Sequence, residues 1–264
     1  PTNLAMAMVY RRLNDAKKLI FHFDRILKSK NFTVNDLCSY GYWQCFDKKW
    51  SQADFYNHGK FLDENLKSIP RNQLVDISKK KSLKIRIGFF SADIIDGHSI
   101  TYFLKSILSN YDKKKLEIVL ILNYSKEDHL TENFKNLTEE TINISNLNNI
   151  DSVNKVRELS LDILIDLMGY TSYQRIDLFK SRMAKKQIIW MGYCNTTGLE
   201  NMDYIISDKN LIRSEEEKFY SEKVIYLPKI WNTHCGFDFE RKENQAPFVK
   251  NKYFTFGSFN NFDK

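Results

Sequence analysis

Apolar residues follow two different rhythms along this chain. Up to about residue 75 they recur at helical spacing. Leu19, Ile20, Phe23, Ile26 and Leu27 share one face of a stretch over 16–27, and residues 4–10 show a similar pattern. Asn35 and Asp36 precede a third helical stretch carrying Leu37, Tyr40 and Trp43, and Ser51 is suited to N-cap a fourth over 54–66. Ile69-Pro70 ends it, and a polar, basic link runs on through Lys84. From Ile85 the rhythm changes to short, almost continuous apolar runs over 85–90, 116–122, 141–144, 163–167, 187–190, 204–206 and 224–226. Helical patterns over 99–109, 129–136, 150–159, 175–180 and 214–219 separate them. Strands apolar on both faces, alternating with helices, predict an α/β unit built on a parallel sheet covered on both sides. A last apolar run over 253–256 is predicted to be a strand, and it leads into a new turn, Gly257-Ser258-Phe259-Asn260-Asn261.

A parallel sheet binds ligands at the carboxyl ends of its strands. The turn after 85–90 holds Asp93, Asp96, Gly97, His98 and Ser99 just before a helix. Backbone N–H groups at a helix start favour anions, and the imidazole of His98 suits a sugar hydroxyl or a proton in transit. The competing reading is a capping or surface histidine. Asp93 and Asp96 either orient His98, act as a base, or cap the helix. The turn after 163–167 presents Gly169, Tyr170 and Thr171; Tyr170 either contacts a sugar or fills the loop, and Asp166 needs a partner if buried. The turn after 187–190 holds Gly192, which allows close approach of backbone to a ligand, and Thr196 and Thr197, which either bond a phosphate or cap the next segment. Neither GxxxxGK[ST] nor GxGxxG is present, so neither an ATPase loop nor a dinucleotide fold is supported.

Composition narrows the field. Hydrophobic residues make up 42% of the 264 and aromatics 14%, enough for a real core. A formal charge of +7 favours acidic partners such as phosphate, although the runs at 79–81 and 113–115 read as solvated lysine turns. Without an arginine-rich helix or a zinc pattern, a dedicated nucleic-acid binder is not supported. Cys38, Cys45, Cys194 and Cys235 form no CxxC pair, and His234 beside Cys235 lacks further ligands, so free thiols in a reducing compartment and no metal centre are expected. No apolar run spans a bilayer and no leader pattern opens the chain, which predicts a soluble, cytoplasmic protein without membrane attachment.

Several ordered motifs carry a resemblance. They are Arg86-Ile87-Gly88-Phe89-Phe90-Ser91-Ala92-Asp93, His98-Ser99-Ile100-Thr101-Tyr102-Phe103, and Asp162-Ile163-Leu164-Ile165-Asp166-Leu167-Met168-Gly169-Tyr170-Thr171. Gln187-Ile188-Ile189-Trp190-Met191-Gly192-Tyr193, Thr196-Thr197-Gly198, Met202-Asp203-Tyr204, Tyr220-Ser221-Glu222-Lys223, Leu227-Pro228 and the 257–261 turn follow in order. Over 85–264 the chain resembles the O-GlcNAc transferase and SPINDLY family, glycosyltransferase family 41. The resemblance implies the first, Rossmann-like half of a GT-B fold over 84–250. A tetratricopeptide-like helical and linker region precedes it over 1–75, and the start of a truncated second half follows over 251–264. It also implies metal-independent transfer of a sugar, from UDP-GlcNAc or GDP-fucose, to Ser or Thr hydroxyls of a protein or peptide acceptor.

By the same resemblance His98 matches the active-site histidine. Asp93 matches an acidic residue just upstream, with one residue more between them than in the family. Tyr170 matches a tyrosine of the active-site wall, and Met191 with Gly192 a leucine–glycine pair at the sugar pocket. Lys264 matches the lysine that stabilises the leaving diphosphate, and Asn261 stands where animal members have a nucleotide-contacting glutamine. Ser99 after His98 is the SPINDLY-like choice rather than the proline of animal O-GlcNAc transferases. Because the nucleotide-binding half is almost wholly absent, the 264-residue chain alone is expected to be inactive. The rival from another class is a non-catalytic protein-binding module.

Overall fold

The structure is a computed structural model that describes residues 2–13, 15–46, 49–77, 82–234, 236 and 244–258. It opens with helices α1 (Thr2–Arg12), α2 (Ala16–Lys28), α3 (Val34–Gln44) and α4 (Gln52–Asn65). The apolar stripe of α2, with Leu19, Ile20, Phe23 and Ile26, packs with Ala7 and Trp43. Ser51 caps α4 as expected, in a capping box with Asp54. The cap of α3 is Thr33, two and three residues before Asn35 and Asp36. Asp36 is instead the third helical residue and returns the bond to the Thr33 N–H, so the helix starts earlier than read.

Strands β1 (Ile85–Ser91), β2 (Leu116–Leu122), β3 (Glu140–Asn143), β4 (Ile163–Asp166), β5 (Lys186–Ile189), β6 (Tyr204–Ser207) and β7 (Lys223–Tyr226) form one parallel sheet in the order β3-β2-β1-β4-β5-β6-β7. Between them run α5 (Ser99–Asn110), α6 (His129–Lys135), α7 (Asn149–Glu158) and the short α8 (Ile176–Phe179), with a 3-10 helix at Ser214–Phe219. Alternate residues of each strand feed two cores. Phe90, Val119, Ile121, Leu164 and Ile189 pack with Val153, Val156 and Phe179 on one face. Phe89, Ile118, Leu120, Ile165 and Ile188 pack with Leu104, Leu108 and Phe134 on the other. Each such buried side chain contributes about 1.5–3 kcal/mol, so both faces have to be covered.

The chain steps outward from β1 to β2 and β3, then returns to place β4 on the other side of β1. Winding therefore reverses between β1 and β4, where Phe90 pairs with Asp166. The loops leaving these two strands diverge there and leave a crevice at the carboxyl edge.

The helical segment is continuous with the sheet. Leu37, Cys38, Leu62 and Leu66 belong to the same core as β1 and β4. Lys180 donates to the buried carboxylate of Asp63 at 2.8 Å, and Gln174 to the side-chain oxygen of Asn35 at 2.9 Å. Among the described residues no helix is long and apolar enough to cross a membrane.

One element departs from the reading. Residues 253–256 form no strand; a short helix not read from the sequence, α9 (Pro247–Asn251), precedes them. Phe254 and Phe256 are 77% and 90% exposed and face one another with ring centres 5.7 Å apart. An apolar run becomes a strand only beside a neighbour that pairs its backbone, and no described strand adjoins this one.

Candidate active site

The loop after β1 is held at several points. Ser91 accepts from the Asp93 N–H at 2.9 Å, and the Met168 sulfur lies 3.2 Å from the Ala92 nitrogen. From the start of α6, Asp128 accepts the Asp96 N–H at 2.7 Å, and Thr131 donates to the Ile94 carbonyl at 2.6 Å. The N–H groups of Asp96 and Thr131 push the Asp128 carboxyl down to about 2. Gly97, at φ 77, turns the chain into α5.

His98 is the N-cap of α5: its Nδ1 accepts from the Ile100 N–H at 3.4 Å. The capping reading is therefore realised in the fold. With Nδ1 so used, the neutral ring carries its proton on Nε2, and Nε2 lies 3.6 Å from Asp93 Oδ2. The His98 side chain is 40% exposed and that of Asp93 15%. Burial raises the Asp93 carboxyl above its ordinary range, with His98 opposing the shift.

At the end of β4, Asp166 is fully buried and accepts from the N–H groups of Met168 at 2.9 Å and Gly169 at 3.0 Å. These bonds supply the partner its burial requires. Burial nevertheless lifts its carboxyl to about 7, against those two donors. At the end of β5, the Gly192 N–H returns to the Trp190 carbonyl at 2.9 Å, which puts Met191 at φ 65 in a tight γ-turn. A non-glycine residue held there stores about 1–3 kcal/mol of strain. A Cβ on Gly192 would lie 1.8 Å from the Leu167 carbonyl oxygen, so only glycine fits.

Asp93, His98, Met191 and Gly192 line one cleft of about 660 Å³ at this edge. Thr171 and Ser172 join them, as do Arg11 from α1 and Tyr42 from α3. Sequence reading missed the last two. Periodicity marks which helical residues are buried, but not which exposed ones meet the sheet edge.

Three of the residues singled out are engaged inside the protein. Tyr170 is not in this cleft: it is 3% exposed, donates its hydroxyl to the Thr197 carbonyl at 2.7 Å and stacks on Tyr193 at 4.6 Å. Beneath the rim it also lines the adjoining hollow between α1, α3 and the loop after β4. Thr196 and Thr197 are not phosphate ligands, because both serve the buried carboxylate of Glu222. Thr196 Oγ1 and the Thr197 N–H each donate at 2.7 Å, and Thr197 Oγ1 also donates. Asn261 and Lys264 lie outside the described residues.

Three other histidines have local partners. His58 is buried with its Nε2 2.9 Å from the Leu37 carbonyl, and desolvation lowers its pKa to about 4 against that bond. His22 meets Asn3 at 3.1 Å, and His234 stacks on Tyr102. Cys38, Cys45 and Cys194 are free thiols. No three metal-ligating side chains cluster among the described residues.

Comparison with known proteins gives the chain its family. The model of glycosyl transferase family 41 matches residues 55–237. A protein of Oryza sativa subsp. japonica, named probable UDP-N-acetylglucosamine–peptide N-acetylglucosaminyltransferase SPINDLY, is 30% identical over 241 residues, covering 89% of this chain and 26% of that protein. The UDP-N-acetylglucosamine–peptide N-acetylglucosaminyltransferase of Caenorhabditis elegans is 28% identical over 153 residues, 57% of this chain and 13% of that one. The chain thus spans about a quarter or less of the length of these relatives. A solved structure of a Thermobaculum terrenum O-GlcNAc transferase mutant superposes with a TM-score of 0.77 at 20% identity, over 86% of this chain and 44% of that one, which is a likeness of fold.

Proposed function

The chain belongs to glycosyl transferase family 41, and on that premise we propose that it forms the acceptor-side half of a protein O-glycosyltransferase, with the Asp93–His98 cleft as its reaction centre. One observation carries this reading. The Asp93–His98 pair after β1 and the strained Met191–Gly192 turn after β5 line a single cleft at the switch point of the sheet.

The chemistry follows from the two ring nitrogens. Nδ1 of His98 is occupied by α5, so the open lone pairs belong to Asp93, and His98 Nε2–H steadies that carboxylate. The acceptor Ser or Thr oxygen attacks the anomeric carbon, and its proton goes to Asp93. The bond to the nucleotide phosphate breaks, and the diphosphate leaves with the electron pair. A carboxylate made more basic by burial suits the proton transfer. Met191 and Gly192 offer backbone close to the sugar. In this reading Lys264 supplies an ammonium to the departing diphosphate and Asn261 contacts the nucleotide.

The donor is UDP-GlcNAc, in keeping with the names of the relatives. Ser99 after His98 keeps GDP-fucose as the second reading. The acceptor is a protein or peptide, and the free thiols accord with work in the cytoplasm. The division into 1–75, 84–250 and 251–264 belongs to the same proposal, with α1 to α4 as the end of a tetratricopeptide-like array.

The test offers both labelled donors to the full-length protein with a cellular protein extract as acceptor. Transfer is expected, and His98→Ala is expected to weaken it. Absence of transfer with either donor from folded protein overturns the reading. Protein binding indifferent to His98→Ala and Lys264→Ala would then point to a binding module.

A further inference from the structure

The reaction cleft does not end at Tyr42. A second hollow of about 330 Å³ adjoins it between α1, α3 and the loop after β4, and Arg11, Tyr42, Thr171 and Ser172 line both. Its other walls mix apolar and polar groups: Met8 and Trp43 with Asn35, Ser39 and Gln174. Such a lining suits a peptide side chain and its backbone better than a sugar or a base.

Arg11 stands on the ridge between the two. It is exposed, and its guanidinium lies 5.7 Å from the centre of the Trp43 ring. Among the described residues it has no carboxylate or carbonyl partner. The guanidinium groups around the sheet are engaged: Arg86 with Glu117 and Glu140, Arg182 with Asp203, Arg157 and Arg175 with backbone carbonyls. A guanidinium steadied by an aromatic face while its N–H groups remain open is arranged to take a planar anion. The other end of the same cleft carries the carboxyl of Asp93, which repels a second carboxylate when ionised. An acidic group is therefore favoured at the Arg11 end, with the reacting hydroxyl at the Asp93 end.

We propose that the hollow beside Arg11 is an acceptor subsite, and that Arg11 selects protein segments bearing an Asp or Glu next to the modified Ser or Thr. This rests on the transferase reading above. The alternative source of an anion at Arg11 is the donor diphosphate, which the experiment separates.

Full-length protein would be assayed with three acceptor peptides that differ only at the residues flanking one Ser: acidic, Gln or Lys. Wild type is expected to prefer the acidic peptide over the Gln peptide by about fivefold to tenfold in kcat/KM, the size of one partly exposed guanidinium–carboxylate pair. Arg11→Gln should abolish the preference by raising KM for the acidic peptide alone, Arg11→Lys should keep part of it, and Arg11→Glu should shift it to the Lys peptide. Equal use of the three peptides by wild type overturns the proposal. So does an Arg11→Gln variant that slows all three alike, or one that raises KM for the nucleotide sugar, which would assign Arg11 to the diphosphate. If wild type transfers neither to a peptide nor to the protein extract, the transferase reading fails. Where no peptide is used, the subsite is judged by fluorescence anisotropy of the same peptides. Salt-sensitive binding of the acidic peptide, lost in Arg11→Gln, upholds it, and equal binding of all three overturns it.

Discussion

The backbone of Gly59 in α4 lies directly against that of Gly198 in the turn between β5 and β6. A Cβ on Gly59 would come within 2.7 Å of the Gly198 Cα, and one on Gly198 within 2.0 Å of the Gly59 carbonyl carbon. Helix and turn touch without side chains between them, which joins the helical segment to the rim of the cleft.

Gly59→Ala should therefore separate the two, at a cost of about 1–3 kcal/mol by overpacking. Gly198→Ala should cost more, because φ 75 there also strains any other residue. Calorimetry should show midpoints lowered by several degrees, more for Gly198→Ala. Unchanged midpoints would mean that the helices do not dock in this way.

Gly192→Ala should damage the site more than the fold. Its Cβ would lie 1.8 Å from the Leu167 oxygen, so the γ-turn has to move away from β4. A displacement of about 1 Å at a reacting centre commonly costs on the order of a hundredfold in rate. Sugar transfer should fall by that much with the circular dichroism spectrum retained; wild-type activity would remove this turn from the reaction.

Asp93 predicts a pH profile. Its carboxyl is raised above the ordinary value of 3.8, chiefly by burial, and it has to be ionised to accept a proton. The kcat/KM of the full-length protein should thus fall with pH along an acid limb higher than that of an exposed carboxylate. Asp93→Asn should abolish that limb and lower the rate by about 10²–10⁴. A limb that persists in the variant would place the base elsewhere.

Asp166 predicts a dependence of stability on pH. Its folded pKa, about 7, lies above the value of 3.8 expected when unfolded. Between those values the folded state holds the extra proton, so stability is greatest below pH 4 and declines as pH rises towards 7. The span is on the order of 4 kcal/mol for a shift of this size. Urea unfolding from pH 4 to 8 should show wild type losing stability relative to Asp166→Asn. A constant difference across that range would contradict the assignment.

Glu222→Gln should loosen the turn that carries Thr196 and Thr197. One carboxylate takes both hydroxyls and the Thr197 N–H, and an amide NH2 in place of one oxygen turns an acceptor towards donors. About 1–3 kcal/mol of destabilisation is expected, read as a lower urea midpoint. A midpoint equal to wild type would mean that the buried contacts rearrange freely.

Much of the fold was legible in the chain because its signals are local. Continuous apolar runs such as 116–122 mark strands buried on both faces, and Ser51 with Asp54 marks a helix start within four residues. His98 and Gly192 stood out as a polar and a bare position at strand ends, and the structure brings both to one cleft. Residues 253–256 misled for the same reason: their pattern reads as a strand, while a strand exists only where another strand pairs with it.

The sequence by itself determined most of the helices and strands, that the sheet is parallel, and which edge carries the polar turns, since spacing and turn chemistry act between near neighbours. Only the tertiary structure decided how those turns are used. Tyr170 became a buried prop when Thr197, 27 residues away in the chain, offered its carbonyl. Thr196 and Thr197 were claimed by Glu222, and Arg11 reached the cleft because α1 packs beside the sheet edge. Such outcomes depend on which groups satisfy one another across long separations, and no periodicity along the chain encodes that.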